Sequence, residues 1–80
     1  NVATVVETLR KDEVVEVGGA RLRLLSNIPE GHKFALAKIP KGDYVVKYGE
    51  WIGRATADIA AGDHAHVQNV EDIVDEVRKL

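Results

Sequence analysis

Short runs rich in β-branched residues, broken by glycine at close intervals, fill most of this chain. Residues 2–9 read as a first strand centred on Val5 and Val6. Asp12 and Glu13 then turn the chain. Residues 14–17 and 21–25 flank Gly18 and Gly19, and a Gly-Gly pair between two β-prone runs predicts a hairpin. Arg21, Leu22 and Arg23 alternate as a half-buried strand does. A turn at Tyr48-Gly49-Glu50 leads into a strand over 51–57. Ala55 to Ala61 has helical composition, but Thr56, Ile59 and Gly62 argue against a helix there.

One short pattern recurs. Ile28-Pro29-Glu30-Gly31-His32 is followed by Ile39-Pro40-Lys41-Gly42-Asp43 and then by Ile59-Ala60-Ala61-Gly62-Asp63. Each copy is an apolar residue, two turn residues and a glycine. Proline presets φ for the first turn position, and glycine permits the positive φ that closes it. The copies precede β-like runs at 33–38, 44–47 and 64–67, which predicts a compact roll of short strands. The end of the chain has a different period. Val70, Ile73, Val74, Val77 and Leu80 follow Asn69, with Glu71 and Asp72 early and Arg78 and Lys79 late. That spacing predicts an amphipathic helix over about 70–80, capped by Asn69 and aligned with its own dipole. Its apolar stripe would cover the β core or dock a partner.

Composition narrows the class. Eighty residues make one domain over 1–80. With 45% hydrophobic and 30% charged residues the chain suits an ordinary globule. A net charge of −2 argues against a nucleic-acid binder, which needs a basic surface. The absence of cysteine excludes disulfides, thiolate catalysis and cysteine metal sites. No apolar run approaches the ~20 residues of a membrane span, and no signal peptide is visible, so the cytoplasm is the default location. Of the four aromatic residues, Trp51 and Tyr48 read as core or packing residues rather than a base-stacking platform.

Chemistry rests on few side chains. His64 and His66 lie two apart on a predicted strand and so share a face, where two imidazoles can bind a divalent metal or a carboxylate. Surface pairs of this spacing are common without function, so both readings stay open. His32 follows a turn glycine and precedes Lys33; from spacing alone, an idle exposed pair is the better reading. Lys33, Lys38, Lys47 and Arg54 could meet an anion, and Arg54 suits bidentate carboxylate recognition. For any single one of them an ordinary strand-face cation is the better reading. Gly42, Gly49, Gly53 and Gly62 read as turn and bulge residues, since no dinucleotide fingerprint or P-loop is present. Ser26 is the only serine, and no serine–histidine–acid triad can be assembled.

Three segments resemble the altronate/galactarate dehydratase family. Ile28-Pro29-Glu30-Gly31-His32-Lys33-Phe34-Ala35-Leu36 is similar to its IPxGHKxAL motif. Tyr48-Gly49-Glu50-Trp51-Ile52-Gly53-Arg54-Ala55-Thr56 is similar to YGxxIGxAT. Gly62-Asp63-His64-Ala65-His66-Val67-Gln68-Asn69 is similar to GxHVHxHN. The resemblance implies a mostly β, SAF-type β-clip of short strands with the C-terminal helix added. It implies a small substrate-binding subunit or domain of a sugar-acid dehydratase or sulfo-lyase, inactive alone and completed by a large lyase subunit. It implies β-elimination from a small anionic sugar acid. A divalent metal, Fe2+ or Mn2+, would be held by that large subunit. By motif position, His32, Lys33, Arg54, His64 and His66 would bind substrate, with a metal role open for His64 and His66 only. Gln68 stands where the family usually has a further histidine, which weakens a three-histidine cluster within that motif.

The capped helix suggests a stand-alone small subunit. Homo-oligomerisation stays open. Two other readings compete. One is a non-catalytic SAF-type module that binds carbohydrate or protein, which would not need all three histidines. The other is a biotinyl or lipoyl carrier, suggested by residues 42–53; it requires a lysine at a hairpin tip, whereas Lys47 falls within a strand.

Overall fold

The computed structural model describes residues 1–73. These residues are mostly β, with no helix among them. The strands are β1 (Val2–Thr4), β2 (Val14–Val17), β3 (Ala20–Arg23), β4 (Lys33–Ala35), β5 (Tyr44–Lys47), β6 (Glu50–Ala55), β7 (His64–Ala65) and β8 (Val70–Glu71). They form a central sheet of order β1-β4-β7, a hairpin β2-β3, and a sheet of order β5-β6-β8. All pairings are antiparallel.

The recurrent turn organises this arrangement, and among the described residues it occurs four times rather than three. In each copy the residue after the turn donates its N–H to a carbonyl three positions back: Glu13 to Arg10, His32 to Pro29, Asp43 to Pro40 and Asp63 to Ala60. The third turn position has positive φ at Asp12, Gly31, Gly42 and Gly62. The first copy escapes a glycine-based reading because Asp12 holds the left-handed conformation there. Aspartate is one of the few side chains that tolerates it.

The turns then pair. Leu9 bridges Ile28 and Ile39 bridges Ile59, each through two backbone hydrogen bonds. Side chains lock them from outside: Asn27 Oδ1 accepts from Lys11 N–H, Asp58 Oδ1 from Lys41 N–H, and Thr8 Oγ1 from Glu30 N–H. Each turn pair carries one hairpin, so the chain folds as two similar halves. The first hairpin turns at Gly18-Gly19 and the second at Tyr48-Gly49, with positive φ at all four residues. A bulge in the second hairpin shifts the register between Val45 and Val46, beside Gly53. A Cβ at Gly53 would overlap Val70 and the Glu71 carbonyl, so glycine lets β8 approach β6.

Two buried clusters flank the central sheet. Val2, Ala35, Ile39, Val45, Ala55, Ile59 and Ala65 form one, and Val5, Leu24, Ile28 and Phe34 form the other. Alternation in β4 explains the division, since Phe34 and Ala35 point to opposite faces and enter different clusters.

Several expectations change. The first strand ends at Thr4 instead of continuing to residue 9; Val5 is buried, but Val6 is 88% exposed. The strand expected over 51–57 runs instead from Glu50 to Ala55. Tyr48 and Trp51 are 87% and 48% exposed, so neither is a core residue; Trp51 stacks on Tyr44 at 4.2 Å. The helix expected over 70–80 does not begin at residue 70. Val70 and Glu71 pair with Ala55 and Arg54 of β6, because the open edge of that strand offers backbone partners to an extended segment. Asn69 therefore caps no helix at this point. Residues 74–80, the remainder of that expectation, lie outside the described residues.

Candidate functional site

Backbone pairing across the central sheet assembles a cluster of three histidines. His32 leaves the Gly31 turn and leads into β4, and its carbonyl accepts from Val5 N–H at 2.9 Å. His64 opens β7 directly opposite Phe34. His32 and Phe34 share a face of β4, so His64 falls beside His32 although 32 residues separate them. His66 lies just past β7, where Asn69 ties the chain back. Asn69 Oδ1 accepts from His66 N–H at 2.9 Å, and its Nδ2 donates to the His64 carbonyl at 2.8 Å. The expected sharing of a face by His64 and His66 is thus achieved by a side-chain-locked turn, since β7 spans only His64–Ala65.

The three rings stack. Their centroids are 4.0 Å apart for His32 and His66, 5.1 Å for His32 and His64, and 5.4 Å for His64 and His66. His32 Nδ1 lies 2.9 Å from His64 Nε2. One ring nitrogen from each residue falls within 4.8 Å of the others, and all three side chains are half-buried. Gln68 places Nε2 3.3 Å from His64 Nδ1. With that amide donating, the proton of a neutral His64 is assigned to Nε2, which donates to His32 Nδ1. Ser26 supports the same residue, accepting from His64 N–H at 3.1 Å and donating to Asp63 Oδ1 at 3.1 Å. The His64 pKa is lowered from 6.5, chiefly by burial and then by the neighbouring His32 and His66, against a smaller opposing pull from Asp63.

Three imidazoles held this close can turn ring nitrogens to a divalent transition metal, in exchange for the hydrogen bonds they now make, or ring N–H groups to an anion. The donor set therefore fits a divalent metal. The ring nitrogens brought together include that of His32 as well as those of His64 and His66.

The cationic candidates stand around this cluster rather than in it. Lys33 projects from the other face of β4 and shares a groove of about 210 Å³ with His66, Val45, Ile52, Ala65 and Glu71. The Arg54 guanidinium sits against Tyr44 Oη at 3.3 Å and Glu71 Oε1 at 3.7 Å. Glu71 also lines the groove, so Arg54 is linked to it at one remove. Lys47 bonds Thr4 Oγ1 and lies over the Tyr48 ring. It closes β5, and Tyr48-Gly49 forms the hairpin tip, which removes the geometric basis for a carrier lysine.

Sequence reasoning missed Ser26, Asn69 and the part played by Gln68. Ser26 lies 38 residues from His64, and no local signal joins them. Asn69 carries a signal, as a side chain suited to satisfying nearby backbone groups, and in the fold it serves His66 N–H and the His64 carbonyl rather than a helix start at residue 70.

Fold and site together define a small β domain that carries a histidine cluster at the edge of a shallow groove. Residues 1–73 match the family described as the altronate/galactarate dehydratase SAF domain, and the chain belongs to that family. It is 46% identical over 69 residues to altronate dehydratase of Escherichia coli (strain K12), covering 86% of this chain and 14% of that protein. It is 35% identical over 78 residues to altronate dehydratase of Bacillus subtilis (strain 168), covering 98% of this chain and 16% of that protein. A third relative is the (2R)-sulfolactate sulfo-lyase subunit alpha of Paracoccus pantotrophus, 45% identical over 49 residues, which are 61% of this chain and 73% of that subunit. The chain thus spans 14–16% of the length of these two dehydratases. Among the described residues no helix is long and apolar enough to cross a membrane.

Proposed function

We propose that this chain is the small substrate-binding part of a sugar-acid dehydratase or sulfo-lyase, completed by a large catalytic subunit or domain. The observation that carries this reading is the convergence of His32, His64 and His66 beside a groove that holds Lys33, in a domain of this family. The reaction is β-elimination: a base removes the proton α to a carboxylate, and the β-hydroxyl or sulfonate leaves. In this reading the large partner supplies that base. It also holds the divalent metal, Fe2+ or Mn2+, that supplies positive charge for the developing enediolate oxygen.

This chain's share is recognition. The Lys33 ammonium offers a charge-assisted hydrogen bond to the substrate carboxylate. The imidazoles donate to or accept from its hydroxyls, because each neutral ring has one nitrogen of each kind. Arg54 contributes through Glu71, whose carboxylate it faces at the groove wall. Docking against the large partner would exclude water from the groove and strengthen these contacts.

The test is reconstitution. The chain alone is expected to show no elimination activity, and addition of a large lyase partner to restore it. Changing His32, His64 and His66 together to Ala should then lower kcat/KM by about 100-fold. Full activity in that triple variant would instead favour a non-catalytic binding module.

A further inference from the structure

We propose that His32, His64 and His66 form a divalent transition-metal site carried entirely by this chain, with Gln68 as the residue that orients His64. This site is additional to the metal assigned above to the large partner, and it rests on the cluster geometry alone.

The donor set comes first. One nitrogen from each of three imidazoles lies within 4.8 Å of the others. No thiolate or thioether is available, since the chain has neither cysteine nor methionine. Asp63, the carboxylate beside the cluster, is engaged by the Ser26 hydroxyl and by the His64 N–H. Three neutral nitrogens select Zn2+, Co2+, Ni2+, Cu2+ or Fe2+ over Ca2+ and Mg2+, which prefer oxygen.

Geometry comes second. A tetrahedral metal bound at about 2.0–2.1 Å needs its nitrogen ligands about 3.3–3.4 Å apart. The His32–His64 pair stands at 2.9 Å, and no pair of these nitrogens exceeds 4.8 Å. Modest side-chain rotation closes that difference. Metal would replace the proton that now joins His32 and His64. Three ligands leave at least one position open, as in reactive rather than purely structural sites.

The backbone is already anchored. Asn69 holds the backbone of both His64 and His66, and Ser26 holds His64. Binding therefore has to order side chains but not the chain itself. These histidines fill no core, because none is fully buried. Packing alone therefore does not account for three imidazoles meeting here.

Gln68 completes the arrangement. A metal-bound histidine donates the N–H of its other ring nitrogen to a neighbouring acceptor. When metal takes His64 Nε2, the proton moves to Nδ1. Gln68 stands 3.3 Å from that atom and can present its carbonyl by rotating the amide. The departure from the family pattern at residue 68 thus supplies an outer partner rather than a fourth ligand.

The experiment is a titration of the 80-residue chain, stripped with chelator, using Co2+ followed by visible absorption and Zn2+ followed by calorimetry. One metal per chain is expected. His32→Gln, His64→Gln and His66→Gln should each abolish stoichiometric binding, and Gln68→Ala should weaken it about tenfold. Circular dichroism of the metal-free variants checks their fold. Should any variant unfold, the histidine ring resonances of the unaltered chain provide the readout: Zn2+ must shift all three. The proposal is overturned if the unaltered chain shows no saturable binding, if His64→Gln binds as tightly as the parent, or if the ring resonances do not move. These outcomes are separable from the reconstitution above. A chain that binds no metal could still complete a lyase, and a chain that binds metal stoichiometrically could still fail to restore elimination.

Discussion

Gly42 and Gly62 occupy the same position in two of the four turns, with φ of +90° and +87°, but their surroundings differ. A Cβ at Gly42 would meet nothing within 4 Å. A Cβ at Gly62 would overlap the Arg23 carbonyl oxygen and stand 3.6 Å from Leu24 Cα. Alanine at either site bears a left-handed backbone cost of about 1–2 kcal/mol. Lower entropy in the unfolded chain offsets about 0.4–1 kcal/mol of this. Gly42→Ala should therefore destabilise by about 1 kcal/mol. Gly62→Ala must also push two backbone segments apart. Gly62 N–H donates to Ala35 at 2.7 Å and the Gly62 carbonyl accepts from Leu25 N–H at 2.9 Å, and neither bond survives a large shift intact. Each is worth about 0.5–1.5 kcal/mol, so the total loss should reach about 2–4 kcal/mol. Against a whole-chain stability of about 4–12 kcal/mol, that is a large fraction. Urea unfolding of both variants measures the difference directly. If the two variants agree within about 0.5 kcal/mol, the clash with Arg23 is not what constrains residue 62, and the reasoning fails.

Three further outcomes are expected. Asp12→Gly relieves the positive φ of 74° and should stabilise by about 0.5–1 kcal/mol in the same assay; its exposed 3.9 Å pairing with Arg23 is worth too little to reverse the sign. Asn69→Ala removes the side-chain bonds to His66 N–H and the His64 carbonyl, and should cost about 1–3 kcal/mol while changing the His66 ring resonances in NMR spectra; unchanged spectra would show that Asn69 does not position the cluster. In metal-free protein, the folded state holds His64 neutral where the unfolded chain binds a proton. His64 therefore contributes full stability above its unfolded pKa of 6.5, and that contribution falls as pH drops from there through the lowered folded value. Urea midpoints measured from about pH 7 down to about pH 5 should decline less in His64→Gln than in the parent, and equal declines would assign the effect elsewhere.

Local elements are legible in the order of the residues. Gly18-Gly19 and Tyr48-Gly49 specify hairpins, and Gly31, Gly42 and Gly62 specify turns, because positive φ is a property of one residue and its neighbours. Those signals suffice for a mostly β chain of short strands, whereas the three histidines are candidates together only through the family motifs that hold them. Where another residue performs glycine's role, as Asp12 does, the turn itself is legible at Asp12 and Glu13, but its kinship with the three glycine copies is not.

The rest depends on strand pairing, which is not local. The spacing of Val70, Ile73 and Val74 fits a helix, yet the open edge of β6 takes Val70 and Glu71 as a strand. Nothing near His32 in the chain indicates that pairing of β4 with β7 brings His64 beside it. The roles of Ser26, Gln68 and Asn69 arise only after that pairing, since each acts on His64 or His66 once the central sheet has placed them.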